Sequence, residues 1–356
     1  MNQLQTPHSG YHWRGSSSRF FEGWYYRVTL PEDGQSFAFM YSIEDPSGNK
    51  PCSGGAAQVL GPNDEYLCRT FPDVKRFWAS CDRLALVHWS YPKIPAVPQI
   101  IPPNEFFESV SQGYQATATY NQGAIADPSS GNSCRWEYAV EPVYGWGNYG
   151  EPPQATAGWS SFLSIFEPGW QVLMASGKAT GWIEWNGKRY DFIDAPAYAE
   201  KNWGGSFPKK WFWINSNSFE NEPDLALTAV GAYRKVLWSM ECVGMIGLHY
   251  QGQFYEFSSL KSQLEWRVAP WGNWQMQAIN DSYKLNLSGI SDYPGNYVRV
   301  PTKQGLVFSC RDTTHGSLKL EMRDRLGDRV LLNAESHLAG LEVGGEPWEE
   351  TWEYPL

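Results

Sequence analysis

The sequence lacks the long apolar runs that cross a membrane and the basic clusters that bind nucleic acid. In 356 residues no stretch approaches the roughly 18 consecutive apolar residues of a transmembrane helix, and the N-terminus has no apolar signal region. The formal net charge is −10, and lysine and arginine are scattered. Because phosphate recognition needs clustered cations, we expect no nucleic-acid partner. We expect a cytoplasmic protein or one peripheral to an internal membrane, and not a secreted one.

Cysteine and histidine are also scarce, and most catalytic signatures are missing. No C-x-x-C pair, H-E-x-x-H, G-x-S-x-G or P-loop motif occurs. His8 and His12 form the one close histidine pair, in a Pro/Gly/Ser-rich segment that favours neither metal nor catalysis. Gly145, Gly147 and Gly150 have G-x-G-x-x-G spacing, but prolines follow at once and no helix is predicted to open there. We therefore expect no metal and no cofactor.

Aromatic residues are abundant, with 19 Trp, 20 Tyr and 17 Phe beside 34 Gly and 24 Pro. This mixture favours strands and tight turns over helices. The length is sufficient for two domains of ordinary size. The composition therefore predicts an all-β protein with few short helices, divided into residues 1–198 and 199–356.

Two hairpin units have the same layout. Each has two aromatic strands joined by a breaker-rich turn and is followed by a strand pair interrupted by glycine. The ranges are Phe20–Leu30, Ser36–Ile43 and Ala56–Thr70 in the first unit, and Trp211–Phe219, Leu225–Tyr233 and Met245–Ser258 in the second. An internal duplication and a chance likeness of two hairpins both remain open.

Three further segments have local signals. Asn104–Gln112 predicts a short helix with Asn104 as its N-cap. The Asn186-Gly187 dipeptide predicts a tight hairpin turn. Tyr91–Pro103 has too many prolines for a strand, and is either a lid whose Ile and Val side chains contact ligand or membrane, or a rigid surface crossover.

Two glutamates lie within aromatic runs. Glu22 follows Phe20 and Phe21, and Glu200 lies between Tyr198 and Trp203. Burial favours the neutral form of a carboxyl group, so such a residue can act as a general acid near neutral pH. The alternative is structural pairing, of Glu22 with Arg19 or Arg27 and of Glu200 with Lys201 or a backbone amide.

Several long segments resemble the tocopherol cyclase family. They occur in order along most of the chain, and the longest read TPHSGYHWRGSSSRFFEGWYYRVTLP and AYAEKNWGGSFPKKWFW. The segments are Thr6–Pro31, Ser36–Pro46, Ala197–Trp213, Ala269–Trp274 and Gly340–Gly345. The resemblance implies two lipocalin-like antiparallel β-barrels. It also implies cofactor-free closure of the chromanol ring from a prenylated benzoquinol.

The resemblance also implies roles for the residues in these segments. Glu200 is expected to be the proton donor or its orienting partner, Glu22 the second candidate acid, and Lys201 and Asn202 hydrogen-bond donors to the quinol. The aromatic residues expected to line the pocket are Trp24, Tyr26, Tyr41, Tyr198, Trp203 and Trp213. For each of these aromatics, plain core packing is the alternative.

The first matching segment begins near residue 6, without the long N-terminal extension of plant relatives. This favours a cyanobacterial protein and peripheral contact with a thylakoid membrane. Two other functions stay open, a lipid or quinol carrier without chemistry and a hydratase that adds water to an isoprenoid alkene. The oligomeric state stays open too.

Overall fold

The computed structural model describes residues 6–15, 18–90, 98–163 and 166–355. Its first half contains one short α-helix and several strands. They are β1 (Phe21–Leu30), β2 (Gln35–Glu44), β3 (Gly54–Leu60), β4 (Tyr66–Phe71), β5 (Phe77–Ala79), β6 (Ala85–Ser90), α1 (Pro103–Ser109), β7 (Gln112–Thr117), β8 (Tyr120–Ala126), β9 (Ser133–Tyr144), β10 (Phe166–Glu167), β11 (Gly169–Trp185) and β12 (Lys188–Gly204).

The second half consists of strands joined by turns. They are β13 (Lys210–Ser216), β14 (Ala226–Val236), β15 (Ser239–Tyr250), β16 (Gln253–Ser258), β17 (Gln263–Val268), β18 (Asn273–Ile279), β19 (Tyr283–Ile290), β20 (Asn296–Thr302), β21 (Gly305–Asp324), β22 (Val330–Gly345) and β23 (Trp352–Tyr354). Short 3-10 turns lie at Pro31–Asp33, Pro62–Asp64, Val74–Arg76 and Trp159–Leu163.

The strands form two curled antiparallel sheets with the same strand order. The first sheet runs β4-β3-β2-β1-β12-β11-β9-β8-β7-β6-β5, and the second runs β16-β15-β14-β13-β22-β21-β19-β18-β17-β23. The two orders correspond strand by strand as far as β7 and β17, which supports an internal duplication. The predicted all-β, lipocalin-like fold is confirmed, with each predicted antiparallel barrel present as a curled sheet that forms a half-barrel.

The first hairpin shows how sequence alternation produces a sheet with one face on a core. In β1, Trp24, Tyr26 and Val28 point into the core of the first sheet, as period-two alternation predicts. The turn to β2 ends at Gly34, whose φ of 61° is a left-handed conformation that glycine adopts without strain. The second hairpin, β13 with β14, is also antiparallel but has a longer connection, residues 217–225.

Two large cores fill the concave faces of the sheets, and two smaller apolar clusters lie between the sheets. One of the smaller clusters joins Tyr198 and Val172 of the first sheet to Trp213 and Met245 of the second. The strands β1 and β12 are therefore covered on both faces. This double burial determines the surroundings of both predicted glutamates.

Local predictions had mixed outcomes. Asn186 (φ 50°) and Gly187 (φ 82°) form the predicted tight turn between β11 and β12. The helix is shorter than Asn104–Gln112: Pro102 is the N-cap, without a side-chain cap, and extended backbone at Val110 ends it. Proline at the first helical position favours this earlier start, so Asn104 is not the cap.

The loop predictions are only partly covered by described residues. Gly145, Gly147 and Gly150 follow β9 in irregular backbone, with no helix after them. Residues 91–97 of the predicted lid or crossover lie outside the described residues, while 98–102 are irregular. Among the described helices, none is long and apolar enough to cross a membrane.

The domain division at 198/199 stays a prediction. Strand β12 runs through that position to Gly204, and the next strand, β13, belongs to the second sheet. The change of sheet along the chain therefore lies in residues 205–209. In addition, β10 pairs with β14 of the second sheet, so a segment of the first half contributes to the second sheet.

Candidate active site

The candidate acids lie on opposite faces of one strand pair. In the register of β1 with β12, Glu22 is opposite Trp203, and Glu200 is opposite Tyr25. Directly opposite residues share a face, and neighbours along a strand alternate between faces. Glu22 and Lys201 therefore face the first core, whereas Glu200 faces the second sheet.

Glu22 is a paired carboxylate. It is fully buried and forms an ion pair with the equally buried Lys201. His12 donates its backbone N–H to Oε2 at 2.9 Å, and its Nδ1 lies 3.2 Å from Oε1. Burial works to raise the pKa of Glu22, but the charge of Lys201 and the contact with His12 leave that pKa below its ordinary value. The expected pairing of Glu22 with Arg19 or Arg27 was wrong. Arg27 lies on the face of β1 opposite to that of Glu22, and Arg19 pairs with Glu44 and Asp45.

The histidine pair belongs to this same polar cluster. His8 Nδ1 lies 3.2 Å from His12 Nε2, and the His12 ring stacks on Trp203 at 4.0 Å. Burial lowers the pKa of His8 to about 4 and also lowers the pKa of His12, so both rings are neutral near pH 7. His12 was missed as a partner of Glu22, although both lie in the Thr6–Pro31 segment.

Glu200 is a buried acid, and the described part of the chain places no cation beside it. Its residue exposure is 8%, and Oε2 accepts hydrogen bonds from Tyr198 Oη at 2.6 Å and Trp170 Nε1 at 3.0 Å. Burial raises the pKa of Glu200, and these hydrogen bonds only partly oppose that effect. The expected pairing with Lys201 or a backbone amide was wrong, since Lys201 is on the opposite face and the described hydrogen bonds come from side chains.

Aromatic rings surround Glu200 between the sheets. Trp213 lies 5.4 Å from Tyr25 and 5.9 Å from Tyr198, centroid to centroid. Trp170 contacts Trp146 at 6.1 Å. The indole N–H of the buried Trp213 points toward Glu200 without making a hydrogen bond of normal geometry. The Trp213 N–H and the Glu200 carboxyl group therefore lie side by side between the sheets.

The residues predicted to line one pocket are divided between the two faces. Trp24, Tyr26 and Tyr41 pack in the first core, where Tyr41 stacks on Tyr114 at 4.0 Å. Tyr198 and Trp213 lie between the sheets with Glu200. Trp203 is on the Glu22 face, and Asn202, opposite Gly23, is on the Glu200 face. Lys201 and Asn202 therefore point to different places and do not form one donor pair.

A second pair of acids lies across the interface from Glu200. Asp312 of β21 and Glu342 of β22 are directly opposite each other, and Glu342 accepts a hydrogen bond from Trp211 Nε1. Burial raises the pKa of Asp312 well above its ordinary value and that of Glu342 to about 7. Sequence reasoning missed both residues, although Glu342 lies in the Gly340–Gly345 segment.

A cavity of about 770 Å³ opens at one end of the interface between the sheets. Pro196 of β12 and Asn217 after β13 are among its lining residues, and Tyr198 comes two residues after Pro196 on the same strand face. Tyr144, Phe219 and Leu338 supply apolar surface. The volume is within the range of pockets that hold drug-sized organic molecules.

Comparison with known proteins places this chain in a family. The family model described as tocopherol cyclase-like matches residues 18–345. A probable chloroplastic tocopherol cyclase of Oryza sativa subsp. japonica is 41% identical over 98% of this chain and 80% of its own length. The chloroplastic tocopherol cyclase of Zea mays is 40% identical over the same shares. This chain belongs to the tocopherol cyclase-like family.

Solved structures share the fold of this family member at low sequence identity. A Nitrosomonas europaea protein described as AttH aligns with a TM-score of 0.51 and 12% identity, covering 94% of each chain. CghA, solved with Sch210972, aligns with a TM-score of 0.50 and 8% identity over 97% of each chain. At these identities the likeness supports the two-sheet fold alone. The family match, in contrast, includes Glu22, Glu200 and Glu342.

Proposed function

We propose that this member of the tocopherol cyclase-like family is a tocopherol cyclase. It closes the chromanol ring of tocopherol from a phytylated methyl-benzoquinol, as an intramolecular lyase of the isomerase class. The support is family membership across residues 18–345 and two plant relatives named as tocopherol cyclases. At the level of the site, the observation that carries the proposal is Glu200, an acid buried among aromatic rings and with no cation beside it among the described residues.

Glu200 starts the reaction by protonating the trisubstituted alkene of the prenyl chain. Its raised pKa keeps the carboxyl group neutral when an exposed glutamate would be ionised. Tyr198 and Trp170 hold Oε2, so the carboxyl group has a fixed direction. Delivery of the proton from one side fixes the configuration of the new stereocentre.

The aromatic rings stabilise the tertiary carbocation that follows. The rings of Tyr25, Tyr198 and Trp213 pack together beside the acid, and a ring face turned toward a cation stabilises it by about 0.5–2 kcal/mol. The quinol oxygen then captures the cation within the same molecule. Holding alkene and phenol in contact replaces a bimolecular encounter, and the apolar walls keep water from hydrating the cation.

Glu200→Gln tests this assignment because glutamine keeps the shape but has no acidic proton. Purified protein is incubated with a reduced phytyl benzoquinol in detergent, and chiral chromatography with mass spectrometry identifies the product. We expect a single chromanol enantiomer of unchanged mass from the wild type, and a rate at least about 100-fold lower from Glu200→Gln. The matched control is Glu353→Gln, whose carboxylate is 55% exposed.

The same assay separates the alternative functions. Saturable quinol binding without conversion would indicate a carrier, and a product heavier by one water would indicate a hydratase. Near-normal cyclisation by Glu200→Gln would remove Glu200 as the acid while leaving the cyclase function in place.

We also propose peripheral contact with an internal membrane, the thylakoid if the source is a cyanobacterium. The prenylated substrate resides in lipid, and the turn between β14 and β15 presents apolar side chains to the outside. Trp238 is 87% exposed, with Leu237 at 46% and Met240 at 42%. Lys235 is in register with Met240, so a cation accompanies this apolar turn. Such a turn suits the boundary between headgroups and acyl chains.

A further inference from the structure

Glu342 lies on the opposite wall of the interface from Glu200. It belongs to β22 and is in register with Trp213 of β13 on one side and Asp312 of β21 on the other. Trp211 donates its indole N–H to one carboxylate oxygen and fixes the side chain. Each sheet thus contributes one glutamate, the buried Glu200 and the half-buried Glu342, to the region between the sheets where Tyr25 and Trp213 lie.

Accessible side-chain surface and an unpaired hydroxyl lie near Glu342. Glu342 and Tyr25 are half-buried rather than fully buried, although both are located between two sheets. Gly23 leaves open space, since a Cβ there would meet a single backbone oxygen at 3.5 Å. Among the described residues, the Tyr25 hydroxyl has no hydrogen-bond partner, and the indole N–H of Trp213, a residue only 5% exposed, is directed at Glu200 without normal hydrogen-bond geometry. Unpaired buried donors cost free energy unless a ligand satisfies them.

The cyclisation moves two protons at two different atoms. One proton is added to an alkene carbon, and another leaves the phenol oxygen as that oxygen bonds to the cation. A single carboxyl group whose oxygen is held by Tyr198 and Trp170 is directed at one of these atoms. A separate acceptor on the opposite wall would allow both proton transfers without any movement of the substrate or of Glu200.

We propose that Glu342 is this acceptor, a second catalytic residue that takes the phenolic proton while Glu200 supplies the alkene proton. The inference rests on the proposed cyclase function. As the Glu200 O–H bond breaks, a C–H bond forms. As the C–O bond closes, the phenol O–H bond breaks and its proton passes to the Glu342 carboxylate. Tyr25, which interacts electrostatically with both glutamates, provides a route for the proton to return to Glu200.

Other ionisable groups around Glu342 set its behaviour with pH. Asp312 is fully buried with both oxygens unpartnered, and remains neutral because burial raises its pKa. Burial likewise raises the pKa of Glu342 to about 7, and hydrogen bonds lower it only in part. The ionisable groups that interact with Glu342 are Tyr25 of β1, Glu200 of β12, and Cys310 and Asp312 of β21. Arg27 of β1 and Asp64 of the Pro62–Asp64 turn lie around Asp312.

The acceptor must be ionised and the donor protonated, so the two glutamates give opposite limbs of a pH profile. Cyclisation should fall as the pH drops below about 7, where Glu342 becomes protonated. It should fall again at high pH, where Glu200 loses its proton. Glu342→Gln should remove the fall in rate at acidic pH and lower kcat/KM by about 10- to 100-fold at pH 8. Glu342→Asp should restore part of the rate and part of the fall at acidic pH.

The experiment measures kcat/KM from pH 5 to 9 for the wild type, Glu342→Gln, Glu342→Asp and Glu353→Gln, with near-ultraviolet circular dichroism as the check on folding. In parallel, infrared difference spectra follow the carboxyl band that Glu342→Gln removes, with and without reduced phytyl benzoquinol. An unchanged acidic limb in folded Glu342→Gln would overturn the assignment. If the wild type showed no turnover but the quinol still shifted the Glu342 band, the cyclase function would be overturned, and Glu342 would remain part of the ligand site. If the quinol left that band unchanged in a protein without turnover, both would fall.

Discussion

Removing the buried cation Lys201 tests whether the Glu22 cluster is structural. Lys201 and Glu22 both have fully buried side chains, and Lys201 also donates to the Gly10 carbonyl at 2.8 Å. Lys201→Met keeps most of the volume but leaves a buried carboxylate with only His12 beside it. Breaking a buried ion pair in this way costs about 3–5 kcal/mol. We expect the free energy of unfolding to fall by about that amount at pH 7, measured by urea titration with tryptophan fluorescence.

The pH dependence of this loss follows from the pKa of Glu22. In the wild type that pKa is below its ordinary value, so the stabilisation exists above the unfolded pKa of about 4.3 and is lost as the pH falls through the folded pKa. In Lys201→Met, burial dominates and the folded pKa rises. At low pH, protonation of Glu22 removes the unpaired buried charge and so reduces the destabilisation of the variant. The difference in unfolding free energy should therefore narrow between pH 7 and pH 4.

Two comparisons make the test decisive. Lys261→Met removes an ion pair with Glu256 in which the lysine side chain is 68% exposed, and should cost less than about 1 kcal/mol. The double variant Glu22→Gln with Lys201→Met removes both charges and should recover much of the loss. A cost below about 1 kcal/mol for Lys201→Met alone, or one that does not change with pH, would refute the buried-pair interpretation.

Two further predictions concern the contact between the sheets and the exposed turn. Asp64→Ala leaves donors of Thr313, Thr314 and His315 without their acceptor, so we expect unfolding free energy to fall by about 3 kcal/mol at pH 7. Those hydrogen bonds outweigh the effect of burial and lower the pKa of Asp64. The loss of unfolding free energy should therefore shrink below about pH 4, where Asp64 becomes protonated in the wild type. A loss that is the same at every pH in urea titrations would contradict this prediction. Trp238→Ser should weaken cosedimentation with anionic phospholipid vesicles several-fold. The control Leu326→Ser, at a residue that is 95% exposed on another turn, should leave cosedimentation unchanged. Equal losses in the two variants would refute the assignment of the turn between β14 and β15 as the membrane-contacting surface.

The sequence supported the fold class and the local strand pattern well. The strands predicted over Phe20–Leu30 and Ser36–Ile43 and the turn predicted at Asn186-Gly187 are present, because both signals depend only on neighbouring residues. The family resemblance gave the reaction class and directed attention to Glu22 and Glu200. The short helix was displaced because a proline at its first position outweighed the Asn104 cap signal.

Partner choice could not be derived from neighbouring residues. Glu200 and Lys201 are adjacent in sequence, which suggested pairing, yet strand alternation places them on opposite faces of the sheet. Glu22 pairs with Lys201, far along the chain, because β1 and β12 are neighbours in the sheet. The same effect divided the predicted pocket aromatics between the first core and the interface.

The sequence by itself determined that this chain forms antiparallel sheets with aromatic cores, and that its buried glutamates need a special environment. Only the tertiary structure decided that environment. Lys201 against Glu22 makes one glutamate a stable carboxylate, whereas aromatic rings and neutral donors around Glu200 leave the other a neutral acid. The physical reason is that the pKa of a buried carboxyl group depends on the charges and dipoles within a few ångströms, which strands distant in sequence supply.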